Sequence, residues 1–168
     1  MNYKSIIISS PPRTGSTWTL NILKEIFINK KINIIPQKVP RNDTDALKYH
    51  FKNINENKIN AISIIKIEQI LKKELTKKTK IIVNFRDPRD AVISYKYFMQ
   101  HKNLEFKDLF QLIKKFINWI EYYRKNFNKD QLLEISFHDI NNNPLKIFQQ
   151  LESFLNFKID KKSIDRII

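Results

Sequence analysis

The stretch KSIIISSPPRTGSTWTLNILKEIFINK, residues Lys4–Lys30, decides the fold. Its first part, Lys4–Ser10, is centred on Ile6, Ile7 and Ile8, a short β-branched run that predicts a buried strand. Pro11 and Pro12 end the strand and open a loop. From Thr17 to Lys30 the apolar residues Trp18, Leu20, Ile22, Leu23, Ile26 and Phe27 return at helical spacing, so a helix packed along one stripe follows. Strand, tight loop and helix in that order open an α/β unit.

The same alternation runs outward along the chain. Ala61–Lys66, Lys80–Phe85 and Gln131–Ser136 read as further strands. Pro88–Gln100 reads as a helix with Asp87 as N-cap, Pro88 at its first position and Asp90 near the capping-box position. Glu105–Lys125 carries Phe106, Leu109, Phe110, Ile113, Phe116, Ile117 and Ile120 on one helical face. A helix starts at Asn143 or Pro144 and runs to Leu155, and Lys161–Ile168 begins another. Glu68–Leu75 is amphipathic. Residues 31–60 predict irregular structure over one end of the sheet, with one short helix at Asp43–Phe51. With no repeat, linker or low-complexity tail, residues 1–168 are expected to form one α/β domain, a parallel sheet flanked by helices.

Composition narrows the function. The 168 residues include no Cys and one Gly and carry a formal net charge of +14. Without Cys, disulfide frameworks, thiolate zinc sites and thiol catalysis are excluded, and a cytoplasmic setting is expected. Hydrophobic residues at 42% and charged residues at 29% exclude wholesale disorder. No apolar run approaches the roughly 20 residues that span a bilayer, and Ile6–Ile8 is too short for a signal peptide. The charge points first to a polyanion. Yet Lys outnumbers Arg about four to one and Ile and Asn abound, a bias that an AT-rich coding sequence produces by itself. Nucleic acid is therefore not the expected main partner. The single Gly says more, because a chain so poor in Gly keeps one where a side chain does not fit.

That residue, Gly15, stands between the first strand and helix in a loop with Arg13, Thr14, Ser16 and Thr17. Helix N-terminal N–H groups, hydroxyls and a glycine that lets backbone come close make an anion site. Arg13 adds a forked guanidinium suited to phosphate or sulfate oxygens. The loop has neither the second Gly and Lys of the nucleotide triphosphate P-loop nor the G-x-G-x-x-G of dinucleotide folds. On this motif alone a plainer reading stays open, a left-handed turn at Gly15 with Ser16 as an ordinary N-cap.

A second strand-to-helix junction reads Phe85-Arg86-Asp87-Pro88-Arg89-Asp90, with Ser94 two turns into the helix. A second anion fits beside Arg86 and the Ser94 hydroxyl. The alternative pairs Arg86 and Arg89 with Asp87 and Asp90 and leaves Ser94 on the helix surface.

Together, about 70 residues apart, the two motifs resemble those of the PAPS-dependent sulfotransferases, which use 3′-phosphoadenosine 5′-phosphosulfate. Pro12–Trp18 is similar at every position to that family's loop of Pro, Lys or Arg, a hydroxyl residue, Gly, two hydroxyl residues and Trp. Arg86 and Ser94 keep the spacing of the family's 3′-phosphate motif. Leu132–Leu155, with Phe137-His138-Asp139 and Asn143-Pro144, is similar to a later segment of Tyr-Glu-Asp followed by Asn-Pro and a helix. The resemblance covers most of residues 4–168 apart from about 31–60. It implies a P-loop-NTPase-like three-layer domain, PAPS as donor, its 3′,5′-bisphosphate PAP as product, and no metal.

Residue by residue, the resemblance implies that Arg13 contacts the transferring sulfuryl group while Thr14, Gly15, Ser16 and Thr17 cradle the 5′-phosphate. Trp18 would pack near the adenine, although a hydrophobic helix start is its plainer role. Arg86 and Ser94 would bind the 3′-phosphate. Phe137 stands where the family has Tyr at the adenine edge, which keeps stacking and loses a hydroxyl bond. The family's catalytic strand ends in Lys, a hydroxyl residue and His; here it ends Lys66-Ile67-Glu68, so Lys66 matches and Glu68 occupies the His position. A carboxylate near the acceptor and partly desolvated has its pKa raised and can act as general base. The alternative makes Glu68 a cap of the next helix. His50, His101 and His138 are further base candidates, none at the matching position.

The implied reaction is in-line sulfuryl transfer to a hydroxyl or amine of a small-molecule or glycan acceptor. The family's Arg-Lys-Gly…Gly-Asp-Trp-Lys segment has no counterpart in these residues. A truncated enzyme, a compact variant and a donor-binding remnant are all compatible with that. Outside this class stand a non-catalytic anion-binding protein of the same fold and a basic nucleic-acid-binding module. No motif specifies the acceptor or the oligomeric state.

Overall fold

Ile6, Ile7 and Ile8 lie at the centre of β1 (Ser5–Ser9), a strand buried along its whole length. Such burial requires cover on both faces of the sheet. The computed structural model describes residues 3–27, 32–34, 52, 59–64, 79–99 and 105–167. Within them β1 is joined by β2 (Ile32–Ile34), β3 (Ile59–Ile64), β4 (Thr79–Phe85) and β5 (Leu132–Ser136). The strands form one parallel sheet in the order β2-β3-β1-β4-β5.

Helices α1 (Ser16–Ile26), α2 (Pro88–Phe98), α3 (Phe106–Asn126), α4 (Phe137–Asn142), α5 (Pro144–Leu155) and α6 (Lys161–Ile167) complete the described chain. The alternation of side chains along each strand divides the core into two. On one face Ile6, Ile8 and Ile82 pack with Leu20 and Leu23 of α1 and with Leu151 of α5. On the other, Ile7, Ile81 and Val83 pack with Val92 of α2 and with Phe116 and Trp119 of α3. Each such aliphatic side chain contributes about 1.5–3 kcal/mol by leaving water. The result is a three-layer α/β domain. A hydrogen bond between the Ser9 and Tyr123 hydroxyls ties β1 to α3.

Two elements differ from the sequence expectation. β2 lies in the stretch expected to be irregular; its three residues, with Asn33 at the centre, are too few to show a periodicity. α4 follows β5 without a loop, because the Ser136 hydroxyl accepts from His138 N at 3.2 Å and caps a new helix at once. Asp90 stands at the expected position but makes no capping box. Its carboxylate faces Arg86 Nε at 4.0 Å, and the reciprocal box belongs to Glu105 and Asp108 at the start of α3. The expected helices at Asp43–Phe51 and Glu68–Leu75 lie outside the described residues.

Parallel strands send all their carboxyl ends to one side. The chain leaves β1 toward β2 and β3, then returns to place β4 on the opposite flank of β1. The order reverses there, and the crevice outside the carboxyl ends of β1 and β4 is where open α/β sheets hold their ligands. Among the described residues no helix is long and apolar enough to cross a membrane.

A candidate anion site above β1 and β4

The loop after β1 is held from inside. Thr14 is buried, and its hydroxyl donates to Pro11 O at 2.7 Å, closing the turn. Arg13 has φ 67° and Gly15 φ 101°, two left-handed residues around Thr14. A Cβ on Gly15 would stand 2.6 Å from Ile140 Cδ1 and 3.3 Å from Phe137 Cδ2, so glycine is required by space as well as by conformation. Gly15 itself is the N-cap of α1, with no side-chain cap. Ser16 therefore does not cap the helix, and the first-turn N–H groups are left without a side-chain acceptor.

Thr14–Trp18 are exposed to different degrees. Thr17 is exposed, and Gly15 and Ser16 are half-buried. Thr14 spends its hydroxyl within the loop and retains only its N–H for a ligand. Trp18 is partly buried and packs against the core cluster on the α1 face.

The structure brings the two motifs together. Arg13 Nε donates to Ser94 Oγ at 3.2 Å across the top of the sheet, and the Arg13 guanidinium lies 4.8 Å from the centre of the Phe98 ring. The Arg86 guanidinium lies 4.4 Å from the centre of the Phe137 ring. Each arginine is thus steadied by an aromatic face, an attraction of about 0.5–1 kcal/mol at exposed positions. Phe137 is a platform for Arg86, a contact the sequence did not suggest. Arg89 is taken up by Asp87, with Nη2 2.5 Å from Oδ2, while Asp87 also accepts from Arg89 N at 2.9 Å. These bonds from Arg89 pull the Asp87 pKa down to about 2. Among the described residues the one carboxylate near Arg86 is Asp90, with 4.0 Å between Nε and Oδ2.

Beneath the loop lies a polar node that sequence reasoning missed. Asn84, fully buried in β4, donates through Nδ2 to Thr19 Oγ1 at 2.7 Å and accepts at Oδ1 from Ser10 Oγ at 3.2 Å. Its N–H donates to Ser10 Oγ at 2.8 Å. The signal available was an Asn inside the apolar strand KIIVNF, since a buried amide needs partners for all its groups.

Lys66, Glu68, His50 and His101 lie outside the described residues. His138 is exposed, its Nδ1 3.1 Å from Asn142 Nδ2. Among the described residues no group of three His, Cys, Asp or Glu could hold a metal. A cavity of about 500 Å³ lined by Lys80, Leu133, Lys146, Gln150 and Phe154 opens at the amino ends of β4 and β5, away from the loop.

A parallel sheet between two layers of helices, with a glycine turn between its first strand and first helix, is an architecture in which α/β proteins commonly bind anionic ligands. The chain belongs to the sulfotransferase family, since the family model described as "Sulfotransferase domain" matches residues 3–168. It is 24% identical over 178 residues to mouse sulfotransferase 6B1, covering 96% of this chain and 58% of that one. The crystal structure of mouse sulfotransferase SULT7A1 complexed with PAP aligns with a TM-score of 0.76 at 18% identity, covering 98% of this chain and 62% of that one. A sulfotransferase from Alicyclobacillus acidocaldarius aligns with a TM-score of 0.61 at 12% identity, covering 96% of this chain and 88% of its own. The chain thus spans about three fifths of the length of these mouse relatives.

Proposed function

We propose that residues 1–168 form a single domain that transfers a sulfuryl group from PAPS to a hydroxyl or amine acceptor. The observation that carries this reading is the 3.2 Å bond from Arg13 to Ser94, which joins at one crevice two motifs that the resemblance assigns to opposite ends of the same bis-anionic nucleotide. The donor fits the residues present. Gly15 allows the left-handed turn of the loop, Ser16 and Thr17 offer hydroxyls, and Arg13 and Arg86 supply two guanidiniums.

In this reading Ser16, Thr17 and the N–H groups of the first turn hold the 5′-phosphate, and Arg86 with Ser94 hold the 3′-phosphate. The acceptor's oxygen or nitrogen attacks sulfur, the bond from sulfur to the bridging oxygen breaks, and PAP leaves with that oxygen and its electron pair. Glu68 takes the acceptor's proton. Arg13 and Lys66 offset the negative charge that grows on the bridging and sulfuryl oxygens. The exposed Phe98 ring beside Arg13 offers apolar surface to a small-molecule acceptor.

The test is calorimetric titration with PAP, followed by incubation with labelled PAPS and a panel of phenol, sugar and amine acceptors. Wild type binds PAP, and Arg86→Ala binds it roughly ten- to a hundredfold more weakly, as the loss of a charge-assisted phosphate contact requires. Absence of PAP binding would remove the proposal. Binding without transfer to any acceptor would favour the non-catalytic reading instead.

A further inference from the structure

The node at Asn84 is more than a satisfied polar group. Ser10 is the residue at which the chain leaves β1, and Thr19 lies in the first turns of α1, so the two bracket the whole loop from Pro11 to Trp18. Asn84 reaches both, and it stands two residues before Arg86 on β4. β1 and β4 are still paired at Ile8 and Ile82, after which the Ser10 hydroxyl takes over as the acceptor for the Asn84 N–H. One side chain therefore spans the interval between the loop and the strand end that carries Arg86. An aliphatic residue would fill this site without needing partners, so an amide here is retained for what it joins.

We propose that Asn84, through Ser10 and Thr19, is a positioning residue that fixes the separation of the Arg13–Thr17 loop and Arg86, so that one ligand meets both at once. This inference rests on the two-phosphate reading above. Its particular claim is that the node adds little to the grip on either phosphate alone and acts on the advantage gained when both are bound. A merely structural role would weaken every ligand alike.

The experiment is calorimetric titration of wild type, Thr19→Val and Asn84→Leu with PAP, adenosine 5′-phosphate and adenosine 3′-phosphate. Thr19→Val keeps the shape of the side chain, removes the acceptor of Asn84 Nδ2, and decides the matter if Asn84→Leu does not fold. Wild type is expected to bind PAP more tightly than either monophosphate. Thr19→Val is expected to shrink that advantage by about five- to tenfold, the effect of one net hydrogen bond, while changing each monophosphate's affinity less than twofold. Equal losses for all three ligands, or no loss for any, would overturn the positioning role and leave the function proposal standing. A wild type with no preference for PAP would overturn the function proposal, and this inference with it.

Discussion

Replacing Gly15 by Ala puts a methyl at φ 101°, in the left-handed region, against Ile140 Cδ1 at 2.6 Å and Phe137 Cδ2 at 3.3 Å. The conformation alone costs an L-residue about 1–2 kcal/mol. Ile140 is buried, with 8% of its surface exposed, so its terminal methyl has little space into which to swing. Overpacking of this kind adds about 1–3 kcal/mol. Gly15→Ala should therefore destabilise the domain by about 2–5 kcal/mol, lowering Tm on the order of 10 °C for a chain of this size. The two causes separate in a double-mutant cycle, because Ile140→Val removes the clashing Cδ1 and leaves φ untouched. Measured by thermal and urea denaturation, Gly15→Ala should cost about 1–3 kcal/mol less in the Ile140→Val background than in wild type. An equal cost in both backgrounds would refute the steric account, and an unchanged Tm for the single variant would refute both.

Two further predictions concern the second motif. Phe137→Leu keeps apolar bulk beside Gly15 and removes the ring beneath Arg86, so PAP binding should weaken by about two- to fivefold in calorimetry with Tm little changed. Asp87 has its pKa lowered from 3.8 to about 2, first by the side-chain hydrogen bond from Arg89. A depressed carboxylate pKa contributes stability above its unfolded value and loses it as pH falls through the folded one. The Tm difference between wild type and Asp87→Asn should accordingly be constant from pH 7 to about 5 and shrink between pH 4 and 2.

The fold was legible wherever burial left a period in the sequence. The run Ile6–Ile8 is apolar on both faces and reads as an interior strand. Pro88 and Pro144 mark the first residues of α2 and α5, where a missing N–H costs nothing. β2 and α4 were not legible. A three-residue strand has no period, and α4 is set by one hydroxyl of Ser136 that looks like the end of a strand.

The site divides the same way. Arg13, Gly15, Arg86 and Ser94 were named from two loop motifs and the family they resemble, and three dimensions bring Arg13 and Ser94 into contact. The inward turn of the Thr14 hydroxyl, the ring beneath Arg86 and the Asn84 node depend on contacts between residues far apart in the chain, which a local reading does not contain.

Arg13 has a consequence of its own. Its backbone sits at φ 67°, where glycine rests without strain and an arginine costs about 1–2 kcal/mol. Arg13→Gly would regain much of that while discarding the guanidinium. Under the proposed function the loop therefore contains a position at which heat resistance and ligand affinity pull in opposite directions. A screen for thermostable variants alone would drift toward glycine there, and would hand back a sturdier protein with a weakened grip on anions.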